Sequence, residues 1–205
     1  MNLSHPAAEL LGRPRACVLR SLARVSEGLT GRHIAQLSDV AHATTQRVLA
    51  DLEGIGLVDS LPAGRSRLYS LNRAHVMWKP IEDMLAAPAR LEEEIGEAAR
   101  NVADVHATVA LYGSTARGDA DSESDVDLVV VWDDRTDQAD RWQLVDALTE
   151  HVQRATGNRV ELVDLSVKEL EAMVARNDPL LDSWLADART VAGADLKRLI
   201  REAAP

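Results

Sequence analysis

The stretch that decides the fold is ALYGSTARGDADSESDVDLVVV, residues 110–131. Its apolar start leads into Gly113-Ser114. After ten intervening residues, Asp125 and Asp127 stand at i and i+2, before a second apolar run. Side chains two residues apart on a β-strand point to the same face of the sheet. Because two neighbouring carboxylates repel each other unless a cation lies between them, the pattern predicts a cation site at a turn between two strands.

The residue types in this stretch favour Mg²⁺ and a phosphate group as ligands. Mg²⁺ usually takes one or two carboxylates together with oxygens of substrate phosphates. Gly113 allows the backbone to come close to a phosphate, and the Ser114 hydroxyl can donate a hydrogen bond to it. The alternative interpretation is a plain turn between two strands whose acidic residues are merely solvated.

The same pattern resembles that of the DNA polymerase β-type nucleotidyltransferase superfamily. The similarity is greatest to its small minimal nucleotidyltransferases, whose segment reads GS-x-A-R-G with a following S-D-x-D-L. The residues that carry the resemblance are Gly113, Ser114, Ala116, Arg117, Gly118, Ser124, Asp125, Asp127 and Leu128. The resemblance covers roughly residues 105–195, and it implies an α/β (α+β) domain in which a small mixed sheet is flanked by helices.

The resemblance implies a role for each residue of the motif. Asp125 and Asp127 would be catalytic and would bind Mg²⁺ or Mn²⁺. Gly113 and Ser114 would bind the phosphates of a nucleoside triphosphate (NTP), with ATP as the first choice. Arg117 would also bind the nucleotide, by neutralising charge on the triphosphate, and its alternative role is a surface salt bridge.

The superfamily also uses a third carboxylate on a neighbouring strand. The segment NRVELVDL, residues 158–165, has the alternating character of a short strand. Glu161 occupies the position where the family usually has Asp, so we expect it to complete the catalytic and metal-binding set. Asp164 ranks second, because a regular strand would turn a side chain three residues further on to the opposite face.

A second pattern occupies roughly residues 13–75. Helical spacing predicts three short helices, and two short strands joined by a Pro-Ala-Gly turn at 62–64 follow them. This order resembles the winged helix-turn-helix family, particularly in the segments LTGRHIAQL, TTQRVLADLEGIGLV and PAGRSRLYSLN. The alternative is a winged helix that serves only protein contacts or dimerisation.

The winged-helix resemblance implies a contact surface for duplex DNA, with the third helix in a major groove and the hairpin as the wing. The candidate DNA-binding residues are Thr44, Thr45, Gln46, Arg47, Arg65 and Arg67. Residues 1–80 hold ten Lys/Arg and six Asp/Glu, a charge of +4, whereas residues 81–205 hold thirteen and twenty-seven, a charge of −14. Such asymmetry favours different partners for the two halves of the chain.

These patterns predict a winged helix-turn-helix domain at 1–80, a connecting helix at 81–102 and a nucleotidyltransferase domain at 103–205. In the last domain, one helix is expected to pack on the sheet through Trp142, Val145, Leu148 and Val152. The single cysteine excludes an internal disulfide and a Cys-based zinc site. No apolar run is long enough to predict a membrane span, so we expect a cytoplasmic protein.

The function expected from the sequence is Mg²⁺-dependent transfer of a nucleoside monophosphate from an NTP to a hydroxyl acceptor, with a protein or small-molecule acceptor favoured. The alternative is a DNA-binding regulator or antitoxin whose nucleotidyltransferase-like domain senses nucleotide or binds a partner protein. Minimal nucleotidyltransferases often belong to toxin–antitoxin pairs, so the resemblance implies a partner toxin. The winged helix implies a homodimer on duplex DNA.

Overall fold

The computed structural model describes residues 1–101, 107–133 and 136–204. The chain forms two compact units, one of His5–Ala87 and the other of Met1–Ser4 together with Pro88–Pro205. Within the described ranges, no helix has both the length and the apolar character that crossing a membrane requires.

The first unit combines short helices with a small antiparallel sheet. Its helices are α1 (Pro6–Leu11), α2 (Arg13–Ala23), α3 (Gly31–Ser38), α4 (His42–Gly54) and α5 (Trp78–Leu85). Its strands are β1 (Leu29–Thr30), β2 (Val58–Ala63) and β3 (Ser66–Leu71), in the order β1-β3-β2. The Thr30 side chain accepts a hydrogen bond from the His33 backbone N–H and so caps the start of α3.

The core of the first unit is assembled from one face of each of its central helices. Leu19 and Leu22 of α2 meet Ile34 of α3. Leu49 and Leu52 of α4 complete this cluster, and all five side chains are buried. Since burying one such side chain contributes about 1.5–3 kcal/mol, the helical spacing of these residues in the sequence determines which face of each helix turns inward.

The predicted connecting helix, residues 81–102, is instead two helices over its described part, and residue 102 lies outside the described residues. The first is α5, which ends at Leu85, and α6 (Ala87–Asn101) begins after Ala86. Pro88 lies in the first turn of α6, where a proline is tolerated because the N–H it lacks has no partner there. Because Pro88 has no backbone N–H to donate to the carbonyl of Met84 and its ring crowds the preceding turn, one continuous helix is interrupted at this point.

The second unit is built on a four-stranded mixed sheet of order β6-β5-β4-β7. Its strands are β4 (Ala107–Tyr112), β5 (Val126–Trp132), β6 (Val160–Ser166) and β7 (Arg189–Ala192). The strand β5 runs parallel to β6, and β4 runs antiparallel to both β5 and β7. Its helices besides α6 are α7 (Gly113–Arg117), α8 (Gln138–Thr156), α9 (Val167–Ala175), α10 (Leu180–Asp187) and α11 (Leu196–Glu202). A small mixed sheet flanked by helices is therefore confirmed.

Alternation along β5 divides its side chains between two cores. Val126, Leu128 and Val130 pack on the side of α6 and α8. Val129 and Val131 pack on the side of α9, α10 and α11. Since alternate residues of a strand share a face, position 127 belongs to the second side of the sheet.

Trp142 does not pack on the sheet, contrary to the sequence-based expectation, since 71% of it is exposed. The buried face of α8 is formed by Leu144, Leu148 and Val152, which follow one another at intervals of four residues. Two residues correspond to slightly more than half a turn of an α-helix, so Trp142 lies on the side of α8 opposite to Leu144. Val145 is partly buried against the same core.

Candidate active site

The turn after β4 brings a glycine backbone against a carboxylate. Gly113 begins α7 with a φ of 71°, in the left-handed region. The pairing of β4 with β5 places Tyr112 opposite Asp127. A Cβ atom at position 113 would overlap Oδ2 of Asp127. Glycine therefore meets two requirements here, the backbone conformation and the close approach to the carboxylate.

Gly113→Ala should lower any activity that depends on Asp127 by roughly 10-fold to 100-fold, because the added methyl group must displace the Asp127 carboxylate. Gly118→Ala is the matched control: Gly118 has a φ of 80°, but a Cβ there would meet nothing within 4 Å. Both variants should lose stability by about 1–2 kcal/mol from backbone strain in thermal unfolding. An equal loss of activity in both would show that strain, and not contact with Asp127, is responsible.

The parallel pairing of β5 with β6 sets two acidic residues side by side. Asp127 and Glu161 are register partners across these strands. Glu161 shares its face of β6 with Val163 and Leu165, which border the core on the α9–α11 side. Asp127 is partly buried and Glu161 is exposed, while Asp125 immediately precedes β5 and is partly buried. The structure thus brings these acidic positions to one end of the paired strands.

Asp164 lies on the other face of β6, as strand alternation predicted. Its carboxylate accepts a hydrogen bond from the indole Nε1–H of Trp132. Trp132 is the last residue of β5 and belongs to the core on the α8 side. The Asp164 carboxylate is therefore engaged in a hydrogen bond on the face of β6 opposite to that of Glu161.

The electrostatic environment of the site disfavours negative charge. Burial raises the pKa of Asp127 above its ordinary value, and the neighbouring charges of Glu161 and Asp125 raise it further. Arg117 acts in the opposite direction on the same group. Burial likewise raises the pKa of Tyr112, with Asp127 and Glu161 adding to the effect. A cation at this position would relieve the repulsion among the carboxylates.

The donor chemistry of the site fits Mg²⁺. In the described ranges, no group of three or more His, Cys, Asp or Glu side chains is arranged so that it could hold a metal ion. Mg²⁺ does not require such a protein cage, because it usually takes one or two carboxylates and completes its shell with water and substrate phosphates. Asp125 and Asp127, two residues apart beside Glu161, supply hard oxygen donors of this kind.

Arg117 ends α7 and, among the described residues, forms two ion pairs. Its Nε lies 3.2 Å from Oδ2 of Asp119, and its Nη1 lies 2.6 Å from Oδ2 of Asp187. The Ser114 carbonyl accepts hydrogen bonds from the backbone N–H groups of Gly118 and Asp119, which closes the turn that carries the motif. Asp187 was missed in the sequence, because only the folded chain brings the end of α10 against α7.

Asn158 was also missed in the sequence, although it holds the backbone next to Asp125. It is 6% exposed, and its Nδ2 donates to the carbonyls of Ser124 at 2.8 Å and Met1 at 3.0 Å. Ser124 directly precedes Asp125, so these bonds fix the backbone where β5 begins. An Asn close to the start of a predicted strand is the sequence signal for this role, and such a signal is weak.

In the first unit, Thr45 cannot contact DNA, contrary to the prediction. It is fully buried, and its hydroxyl donates to the carbonyls of Val40 and Ala41. Thr45 lies three residues before Val48 and four before Leu49, which places it on the buried face of α4. The helix face was misassigned by one position.

The other DNA-binding candidates differ in their surroundings. Thr44 and Gln46 are partly buried, and the Gln46 amide lies against Gly31, where a Cβ would overlap it. Arg47 is exposed on α4. At the hairpin tip Arg65 is exposed, whereas Arg67 forms a 2.8 Å ion pair with Glu53.

Comparison with known proteins finds a family model that is similar to the part of the chain that carries the site. Residues 93–180 match the family model for polymerase beta, nucleotidyltransferase. The chain is similar to the solved structure of a toxin–antitoxin complex with AMP-PNP, at 21% identity over 55% of this chain and 82% of that chain, with a TM-score of 0.39. No curated protein matched the chain.

Two further solved structures are similar at comparable levels. One is a tri-AMPylated HEPN toxin in complex with MNT antitoxin from Shewanella oneidensis, at 20% identity over 57% of this chain and 82% of that chain, with a TM-score of 0.34. The other is a putative nucleotidyltransferase from Sulfolobus solfataricus, at 23% identity over 49% of this chain and 76% of that chain, with a TM-score of 0.29. The residues matched by the family model include Gly113, Ser114, Asp125, Asp127 and Glu161.

Proposed function

We propose that the nucleotidyltransferase domain at residues 93–180 transfers a nucleoside monophosphate from an NTP, with ATP as the first choice, to a hydroxyl of another molecule in the presence of Mg²⁺. The match of these residues to the family model for polymerase beta, nucleotidyltransferase, supports the proposal. The observation that carries the proposal is the register of β5 and β6, which sets Asp127 beside Glu161 while Gly113 packs against Asp127.

In the proposed reaction, the hydroxyl oxygen of the acceptor attacks the α-phosphorus of the NTP, and the bond to the leaving pyrophosphate breaks. Glu161 accepts the proton of that hydroxyl, for which its exposed position is suited. Gly113 and Ser114 contact the phosphates through backbone and hydroxyl groups. Asp125 and Asp127 would hold Mg²⁺, or Mn²⁺, which supplies positive charge to the phosphate oxygens.

A protein is our first candidate for the acceptor, and specifically a partner toxin. The warrant is the resemblance of the GS-x-A-R-G and S-D-x-D-L segments to minimal nucleotidyltransferases, which often belong to toxin–antitoxin pairs. A small-molecule hydroxyl is the other candidate. Both acceptors require the same chemistry of Asp127 and Glu161.

The proposal is tested by incubating the protein with each of four α-labelled NTPs, Mg²⁺ and a lysate of the source cell. We expect label from one NTP, ATP first, on a discrete species that mass spectrometry can identify, and no label on that species with Asp127→Asn. NTP binding without any transfer would overturn the enzymatic proposal and favour a nucleotide sensor. Label on RNA ends would overturn the choice of acceptor.

A second proposed function belongs to the first unit, which we propose binds duplex DNA as a winged helix-turn-helix domain, in a homodimer. It is favoured by the order of helices and strands in His5–Ala87, with β2 and β3 as the wing beside α4. Arg47 on α4 and Arg65 at the hairpin tip are exposed and form no ion pair within the described residues. Both guanidinium groups can therefore contact phosphates without first breaking a salt bridge.

Arg65→Ala should weaken DNA binding on all sequences alike and reduce the slope of log K against log salt by about 1, since one phosphate contact is lost. Arg67→Ala is the control, and its effect should be smaller because Glu53 already holds that guanidinium. Fluorescence anisotropy across a salt series, on a site obtained by selection, measures both. A selection that enriches no sequence, with no binding at low salt, would leave this unit as a protein-contact module.

A further inference from the structure

Asp187 lies where α10 ends and contacts the helix that carries the motif. Its side chain is only 10% exposed, and its Oδ2 lies 2.6 Å from Nη1 of Arg117. Arg117 is the last residue of α7, which starts at Gly113. The ion pair thus joins an element from the C-terminal part of the chain to the turn that packs against Asp127.

The environment of the other carboxylate oxygen of Asp187 is not what a purely stabilising role would require. Oδ1 is buried and has no hydrogen-bond partner among the described residues. A buried carboxylate oxygen without a donor lowers the stability of the folded chain. The Arg117 side chain is 48% exposed, so screening by water also limits what the ion pair contributes to stability. The placement of Asp187 is better explained by what it does to Arg117.

Arg117 is held at two points of its planar guanidinium group. Asp119 accepts from Nε at 3.2 Å and Asp187 accepts from Nη1 at 2.6 Å. A guanidinium has five N–H donors in a rigid plane, so two such contacts fix the direction of the remaining three. Asp119 is 62% exposed and Asp187 is not, so Asp187 provides the firmer of the two contacts.

We propose that Asp187 is a positioning residue, which holds the guanidinium of Arg117 so that its free N–H groups meet the triphosphate. The inference rests on the proposed function, because it requires an NTP in this site. It predicts that Asp187 contributes to NTP affinity only through Arg117. The opposite effect would be sequestration, in which Asp187 keeps Arg117 away from the ligand and its removal tightens binding.

The test is the affinity for the non-hydrolysable analogue AMP-PNP with Mg²⁺, measured by isothermal titration calorimetry on the full chain. Asp187→Asn should weaken binding by about tenfold, the loss expected for one charge-assisted contact. Asp119→Asn, the matched control on the same guanidinium, should change it by less than about threefold, because exposed pairs contribute little. Asp187→Asn combined with Arg117→Gln should bind as weakly as Arg117→Gln alone.

Three results would overturn the inference while the wild type still binds the analogue. These are tighter binding by Asp187→Asn, an additive loss in the double variant, and wild-type affinity in Arg117→Lys, which keeps the charge but loses the planar two-point contact. The last variant serves if Asp187→Asn fails to fold, which thermal unfolding reports. If the wild type binds no analogue, the proposed function itself fails, and the inference fails with it.

Discussion

Asp127→Asn should reduce nucleotidyl transfer by at least about 100-fold, because losing a ligand of the proposed catalytic cation would remove several kcal/mol of transition-state stabilisation. The fold should survive, since Asn has nearly the same shape and the charge it removes is one that the site disfavours. Initial rates with labelled NTP and thermal unfolding of the same preparation measure both effects. Wild-type rates in the variant would show that Asp127 holds no catalytic metal, and a large drop in melting temperature would point to a structural role instead.

The stability of this variant should depend on pH in a definite direction. The pKa of Asp127 is raised in the folded protein by burial and by its acidic neighbours, so ionisation costs the wild type stability as the pH rises above the unfolded-state pKa. At about pH 3 the carboxyl is protonated in both the folded and the unfolded state. Wild type and Asp127→Asn should then have similar stabilities. As the pH rises to about 7, the variant should become the more stable of the two in denaturant unfolding.

Asp121→Asn gives a control of opposite sign. Hydrogen bonds from the Glu123 backbone N–H and the Ser124 hydroxyl lower the pKa of Asp121. The ionised form therefore stabilises the wild type above the unfolded-state pKa, and this contribution is lost as the pH falls through the folded-state value. The free energy of unfolding of Asp121→Asn should therefore fall relative to that of the wild type as the pH rises.

Glu161→Gln should lower kcat by about 100-fold or more with little change in the KM for NTP, the effect expected when a general base is removed. Asp164→Asn should leave kcat unchanged. Its amide oxygen can still accept the hydrogen bond from Trp132, and its side chain faces away from Asp127. Steady-state kinetics on both variants, with unfolding curves as a check on folding, make the comparison.

The reverse ranking of these two variants would contradict the site as described. It would mean that the face of β6 turned toward Asp127 is that of Asp164. A rise in the KM for NTP with unchanged kcat in Glu161→Gln would show that Glu161 binds nucleotide and takes no proton. Equal decreases in kcat in both variants would show that neither position is specific to the reaction.

The parts of the site that could be predicted from the sequence depend on local geometry. The turn at Gly113 follows from the residue itself, and the separation of Glu161 from Asp164 follows from the two-residue repeat of a strand. Residues 93–180 match the family model for polymerase beta, nucleotidyltransferase, as the resemblance of the motif implied. The roles of Asp125, Asp127 and Glu161 in catalysis remain predictions.

The residues that sequence reasoning missed or misassigned depend on long-range packing. Asp187 reaches Arg117 across seventy positions of the chain, and Asn158 reaches Ser124 across thirty-four, so no local pattern indicates either contact. Thr45 was placed on the wrong helix face, because an amphipathic pattern does not define the boundary of the buried face to one residue. Trp142 was misassigned for the same reason, as a large apolar side chain favours the core without requiring it.

The central claim is that Asp127 and Glu161 support transfer of a nucleotidyl group, and the label position tests it most directly. The protein is incubated with Mg²⁺ and source-cell lysate, with ATP labelled either at the α- or at the γ-phosphate, beside Asp127→Asn as the blank. We predict that an acceptor gains the α-label in an Asp127-dependent manner and gains no γ-label in that manner. Asp127-dependent gain of the γ-label, or equal gain of the α-label with Asp127→Asn, would contradict the account.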